Sequence, residues 1–233
     1  MYLAAAVAAA YAAEPEGSLL ITATLLALVI TGAYLLGAVP FGVIVCGFLG
    51  KDPREVGSGR TGGTNVYRTA GMPAALLTVG LDIAKGFAAV RIAGAVLPAD
   101  RYGEVSVWAM SLAALAAIVG HNYSLFAGFR GGAGSSPNIG ALLAFDPIGF
   151  VIGIAASAVM LFGVRIASLA SLALSVMILV LEGWRVITGA MPPPLLVYAV
   201  GQLLIVVWAL RPNIQRLRTG TERRINFGRE TIG

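Results

Sequence analysis

Charge is scarce in this sequence: Asp, Glu, Lys and Arg make up 12% of its 233 residues, against 58% apolar. A soluble domain carries about 25% charged and about 45–50% apolar residues, so folding in water is excluded and lipid is the expected solvent. Cysteine is nearly missing. Cys46 is the single one and lies in an apolar run, which rules out an intrachain disulfide and, with no second sulfur ligand, argues against a metal site. A basic, aromatic-laced soluble face is also lacking: the net charge of +5 is spread among 30 glycines and long uncharged runs, so nucleic acid is not an expected partner. No cofactor or metal is expected.

What is present is a series of apolar runs, near residues 19–49, 73–98, 105–120, 135–145, 148–164, 166–184 and 195–210. Crossing a hydrocarbon core takes roughly 20 residues. The runs therefore predict an all-α, polytopic membrane protein of about seven transmembrane helices. The run at 135–145 is too short to cross and is expected to be a tilted, re-entrant or half-length helix shielded by its neighbours. Residues 1–13 superficially resemble a secretory leader, but no Lys or Arg precedes the apolar stretch. Residues 1–18 are expected to be an Ala-rich extension, 19–211 one integral domain, and 212–233 a basic tail held to anionic head groups.

Lys and Arg accumulate in cytoplasmic loops of membrane proteins. Lys51, Arg54, Arg60 and Arg68 fall in the first long loop, Arg130 in the third, Arg165 in the fifth, and Arg211, Arg216, Arg218, Arg223, Arg224 and Arg229 in the tail. Arg101 and Arg185 fall on the other side. This pattern predicts an outside N-terminus and a cytoplasmic C-terminus.

Three strings carry chemistry. The first runs from Lys51 to Arg68 and holds Gly57-Ser58-Gly59-Arg60-Thr61-Gly62-Gly63-Thr64-Asn65. Glycines let backbone N–H groups turn toward an anion, Ser, Thr and Asn add neutral donors, and arginines add bidentate charge. An anion cradle and a flexible basic inner loop both fit that composition, whereas a Walker loop does not, because no Gly-Lys-Ser/Thr ends it. The second string is Gly80-Leu81-Asp82-Ile83-Ala84-Lys85-Gly86 inside an apolar run. Ionisable residues cost roughly 2.5–3.5 kcal/mol each at mid-membrane, and Asp82 and Lys85, three apart on a helix, are placed to pair. Lys85 is read as a substrate-phosphate contact held by Asp82, or else the two form a structural pair. The third string runs from Gly120-His121-Asn122 through Phe129-Arg130-Gly131-Gly132-Ala133-Gly134-Ser135-Ser136-Pro137 and opens the short helix, whose N-terminus attracts anions.

Together with Gly37-Ala38-Val39-Pro40-Phe41-Gly42, these strings resemble, in order and spacing, the motifs of the bacterial acyl-phosphate-dependent glycerol-3-phosphate acyltransferases. Arg165-Ile-Ala-Ser168-Leu-Ala-Ser171 and Asn213-Ile-Gln-Arg216 through Glu222 extend the likeness over about residues 20–225. The resemblance implies transfer of an acyl group from acyl phosphate to the 1-hydroxyl of glycerol 3-phosphate, at the cytoplasmic face of the cell membrane, with membrane lipids around it and no required protein partner. It further implies catalytic roles for His121 and Ser58. Substrate phosphate would fall to Arg54, Arg60, Thr64, Asn65, Arg68, Lys85, Arg130, Gly131, Gly132, Gly134 and Ser135.

The chain departs from the family pattern at several positions. Arg60 stands where the family has asparagine, Ala133 and Arg130 where it has lysines, Ala38 where it has serine, and Ser135-Ser136-Pro137 replaces its Val-Ala-Thr. Arg60 is expected to supply the charge missing at Ala133, provided both loops line one pocket. No Ser-His-Asp arrangement is evident, so direct attack by the glycerol hydroxyl on the activated acyl group is expected, with His121 orienting a substrate or taking its proton. The acyl-CoA acyltransferases space a histidine and an aspartate by four residues; that position after His121 is Phe126. A noncatalytic or substrate-shifted paralogue and a small-anion membrane transporter remain as alternatives.

Overall fold

The computed structural model describes residues 16–227, and among them every regular element is helical. In chain order the helices are α1 Glu16–Ala38, α2 Phe41–Gly47, α3 Gly63–Val96, α4 Ala99–Tyr102, α5 Glu104–Asn122, α6 Ser135–Phe145, α7 Pro147–Val159, α8 Ala167–Ile187, α9 Leu195–Ala209 and α10 Arg211–Arg218. Single 3-10 turns lie at Pro53–Glu55 and Leu125–Ala127, and a wider turn, Met160–Val164, extends α7. The leader-like residues 1–13, and most of the expected N-terminal extension, lie outside the described residues.

All seven apolar runs are helical, but they are not equivalent spans. Among the described residues five stretches are long and apolar enough to cross a membrane: Ser18–Gly47, Gly63–Val96, Glu104–Ala127, Pro147–Val164 and Ala167–Ile187. A sixth is added if α9 and α10, bent by 65° at Leu210, count as one. The run at 135–145 is the 11-residue helix α6, about 16 Å long, half the thickness of a hydrocarbon core. It is wrapped by α3, α5, α7 and α8, which removes its ends and its buried Asn138 from lipid.

Lipid and protein interior are equally apolar, so the bundle is held by close backbone packing more than by the hydrophobic effect. α1 crosses α5 where Gly37 meets Ala117 and Gly120 meets the carbonyl of Tyr34; a Cβ on either glycine would collide with the opposing backbone. α3 crosses α6 in the same way, with Gly86 against Pro137 and Gly140 against the backbone of Ile83 and Phe87. Large apolar side chains such as Leu20, Val159 and Ile187 are left facing outward.

Two breaks position the site. Pro40 interrupts the first span, and the carbonyl of Val39 next to that break accepts from Lys85 Nζ at 2.8 Å. Gly71, at φ 83°, kinks α3 just before Pro73. The sequence reading starts this span at residue 73. The helix begins ten residues earlier, at Gly63, so part of the expected loop is a helical turn.

Candidate active site

The loop from Asp52 to Gly62 is shaped from within by Asn65, which is 1% exposed. Its carbonyl oxygen accepts from the Ser58 N–H at 3.1 Å, and its amide nitrogen lies within reach of the carbonyls of Pro53, Val56 and Arg60. The loop then meets the second glycine-rich turn. Thr61 N–H donates to Gly131 O at 3.4 Å, and Arg60 Nη1 donates to Gly132 O at 2.8 Å. Strings some 70 residues apart thus meet at one end of the bundle.

Arg60 is the hub of this junction. Its Nη2 donates to Ala209 O at 2.6 Å and to Asn213 Oδ1 at 3.2 Å. The guanidinium therefore lies beside the backbone next to Ala133, where the family pattern would place a lysine. Asn213 donates in turn to Glu222 Oε1 at 2.7 Å, and Glu222 also accepts from Ser168 Oγ and Arg216 Nε. Burial alone would push the Glu222 carboxyl up, but the bonds from Asn213, Arg216 and Ser168 outweigh it and hold it below the usual glutamate range.

Beneath the turn lies an intramembrane cluster. Asp82 Oδ1 is 2.7 Å from Lys85 Nζ and 3.5 Å from His121 Nδ1. Side-chain exposure of the three is 5% or less, so the carboxylate satisfies one cation and faces the imidazole in surroundings where an unpaired charge is costly. The other imidazole nitrogen, Nε2, faces Gly132, where even a Cβ would strike it. His121 is thereby held by Asp82 on one side and presented under the glycine turn on the other.

Above this cluster a cavity of about 390 Å³ opens between α3, α6, α7 and α8. Its polar end is lined by Ser58, Arg60, Thr64, Arg68, His121, Gly132, Ser135 and Ser136. Two helix N-termini face it, α3 at Gly63 and α6 at Ser135, and neither is capped by a side chain. Uncapped N–H groups and the aligned peptide dipoles favour anions at both places. Gly134 turns the chain into α6 at φ 90°, a conformation natural to glycine. The other end of the cavity is apolar, walled by Leu76, Val79 and Ile83 of α3, Ile139 of α6, and Ile154 and Leu161 of the α7 region.

The residues singled out from sequence divide accordingly. Ser58, Arg60, Thr64, Arg68, His121, Gly132 and Ser135 line the cavity. Asn65 and Lys85 lie behind it, their polar atoms engaged by the first loop and by Asp82 with Val39. Gly131 and Gly134 shape the turn. Arg54 is paired with Asp52 at 2.6 Å, and Arg130 is exposed. Sequence reasoning missed the Asp82–His121 contact and the pocket roles of Ser136, Ser157 and Arg223. It also missed the return of the tail, where Ile225 N–H donates to Arg165 O at 2.7 Å and the Phe227 ring lies 5.4 Å from Tyr67 and 4.9 Å from Phe162.

Residues 27–220 match the family model of glycerol-3-phosphate acyltransferase. The chain is 38% identical over 218 residues to glycerol-3-phosphate acyltransferase 3 of Dehalococcoides mccartyi, covering 86% of this chain and 96% of that protein. It is 41% identical over 199 residues to a glycerol-3-phosphate acyltransferase of Thermus thermophilus, covering 83% and 92%. Among solved structures, it resembles the glycerol 3-phosphate form of PlsY, an integral membrane glycerol 3-phosphate acyltransferase, with TM-score 0.75 and 30% identity over 86% of this chain and 96% of that one. The lysophosphatidic acid form of PlsY matches with TM-score 0.70 and 28% identity, over 85% and 94%. Motif order, fold and these matches agree: the chain belongs to the glycerol-3-phosphate acyltransferase family.

Proposed function

We propose that this protein transfers an acyl group from acyl phosphate to the 1-hydroxyl of glycerol 3-phosphate, giving lysophosphatidic acid and inorganic phosphate. The observation that carries the reading is the pairing of two uncapped helix N-termini, at Gly63 and Ser135, over one cavity whose far end is apolar. Both substrates end in phosphate and one carries a fatty tail, so two anion seats beside a greasy groove fit the pair.

The hydroxyl oxygen attacks the acyl carbonyl carbon, the bond from that carbon to the phosphate oxygen breaks, and phosphate leaves with its electron pair. His121 Nε2 orients the hydroxyl and accepts its proton, with Asp82 fixing the ring, and Ser58 assists at the polar end of the cavity. Arg60, Thr64, Arg68 and Ser135 contact phosphate, and Gly132 leaves room for it beside the imidazole. Asn65, Lys85, Gly131 and Gly134 hold these groups in place. Arg54 and Arg130 contribute attraction from outside the cavity. Because acyl phosphate is already activated, positioning and charge stabilisation suffice without a covalent acyl-enzyme.

The cavity opens to the cytoplasm, with the N-terminus outside and the enzyme in the cell membrane. In support, Lys51, Arg54, Arg60, Arg130, Arg165 and the tail arginines are expected at the cavity end, as the positive-inside rule requires. A cysteine placed at position 60 and labelled only from outside would reverse that orientation. The activity itself is tested with purified protein in lipid, given glycerol 3-phosphate and either acyl phosphate or acyl-CoA. Phosphate release coupled to lysophosphatidate formation, from acyl phosphate alone, is the expected result. Anion uptake without acyl transfer, or binding without phosphate release, would sink it.

A further inference from the structure

A second groove lies on the outside of the bundle at the cavity end, between the end of α5 and the α9–α10 bend. Its floor is apolar, formed by Val119 of α5 and Leu204, Ile205 and Val207 of α9. Its rim is cationic. Arg211, Gln215 and Arg218 are exposed at positions i, i+4 and i+7 of α10, on one helical face, and border the groove with Tyr123 and Trp208. The Arg211 guanidinium stacks over the Trp208 ring at 4.3 Å, and no carboxylate is among the described residues lining the groove.

The two faces of α10 differ in what they leave unsatisfied. Arg216 is neutralised by Glu222 at 2.8 Å, and Asn213 is engaged by Arg60 and Glu222. Arg211 and Arg218 are turned the other way, toward the groove, with no carboxylate among the described residues on either; Arg211 Nη1 donates to the Trp208 carbonyl at 3.4 Å. The 65° bend turns α10 out of the line of α9; with α9 crossing the membrane, the apolar floor would lie at acyl depth and the arginines at head-group depth. That is the shape and charge of a phospholipid with a negative head.

We propose that this groove binds one anionic glycerophospholipid of the surrounding bilayer, its phosphate held by Arg211 and Arg218 and its tails laid along α9 beside Trp208. The site is separate from the catalytic cavity and stands whatever reaction that cavity performs.

The chain's three tryptophans supply the test. A Trp108→Phe/Trp184→Phe variant keeps Trp208 as sole reporter, in phosphatidylcholine vesicles containing a small fraction of brominated phosphatidylglycerol or brominated phosphatidylcholine. Trp208 fluorescence is expected to be quenched at lower mole fraction by the anionic bromolipid. Arg211→Gln and Arg218→Gln should each reduce that preference by about fivefold, with the melting temperature unchanged. Inorganic phosphate in the buffer should leave the quenching as it was. Equal quenching by both lipids, a preference that survives the double substitution, or displacement by free phosphate would each overturn the proposal.

Discussion

Two clusters of buried charge lie at opposite ends of the bundle, and they differ in what they touch. At the cavity end Asp82 holds Lys85 and His121, and His121 reaches the cavity beneath Gly132. At the far end Asp146 is ion-paired with Arg185, and the fully buried Glu182 faces the same pair. There the Asp146 carboxylate accepts from Ile148 N–H at 3.1 Å and caps α7, a helix-starting role, and none of the three residues lines the cavity that His121 reaches. An expensive charge inside a membrane is thus no marker of chemistry on its own. Its connection to a substrate-sized space is what separates the two clusters.

That contrast can be broken or sharpened by substitution. The largest effect is expected for His121→Ala, which should lower kcat by about 10²–10⁴-fold in the protein that stays folded. Normal phosphate release from this variant would remove both roles given to the imidazole. Lys85→Met strands Asp82 and should cost about 3–5 kcal/mol of stability, with activity lost alongside. Arg185→Met should cost less, because the Arg185 side chain is 27% exposed, and the protein that stays folded should turn over normally. A collapse of kcat in folded Arg185→Met would erase the distinction between the two ends. Arg60→Asn is expected to raise KM for the phosphate substrates by about tenfold, through the loss of one charge-assisted contact, with kcat less affected. Unchanged affinity would end its assignment as the cation that stands in at Ala133.

The smallest effect concerns pH. The Glu222 carboxyl lies below its ordinary value of 4.5 in the folded protein. A depressed acid stabilises above the unfolded value and loses that contribution as pH falls through the folded one. Protection of residues 221–227 from proteolysis should therefore persist down to about pH 4.5 and fade only in stronger acid. Glu222→Gln should abolish that acid step, and a step centred well above pH 4.5 would contradict the assignment.

Much of this was legible in the sequence. The run at 135–145 coincides with α6, and the fifth run falls within the span Pro147–Val164. Asp82 and Lys85 announce their pairing by a three-residue spacing. What stayed hidden depends on contacts between distant segments. Gly62, Gly63 and Gly71 read as loop residues because glycine is a poor helix former, yet α3 starts among them, with Gly63 packed under Val79 after the Gly71 kink. The Asp82–His121 contact joins residues on two helices, and no periodicity within either one points to the other. The tail returns through scattered contacts, Glu222 with Ser168, Ile225 with Arg165 and Phe227 with Tyr67 and Phe162, which follow no period that could be read beforehand.

The half-length of α6 bears on where product goes. In the proposed reaction the phosphate lies at the N-terminus of α6 and the hydrocarbon tail along the apolar wall of the cavity, so the ester would form on the cavity side of the bilayer. On that reading new lysolipid would leave past the apolar residues of α3 and α7 that line the cavity, without turning over. The opposite leaflet then receives none of it directly, so even growth of the two sheets of lipid needs a separate flip of the head group.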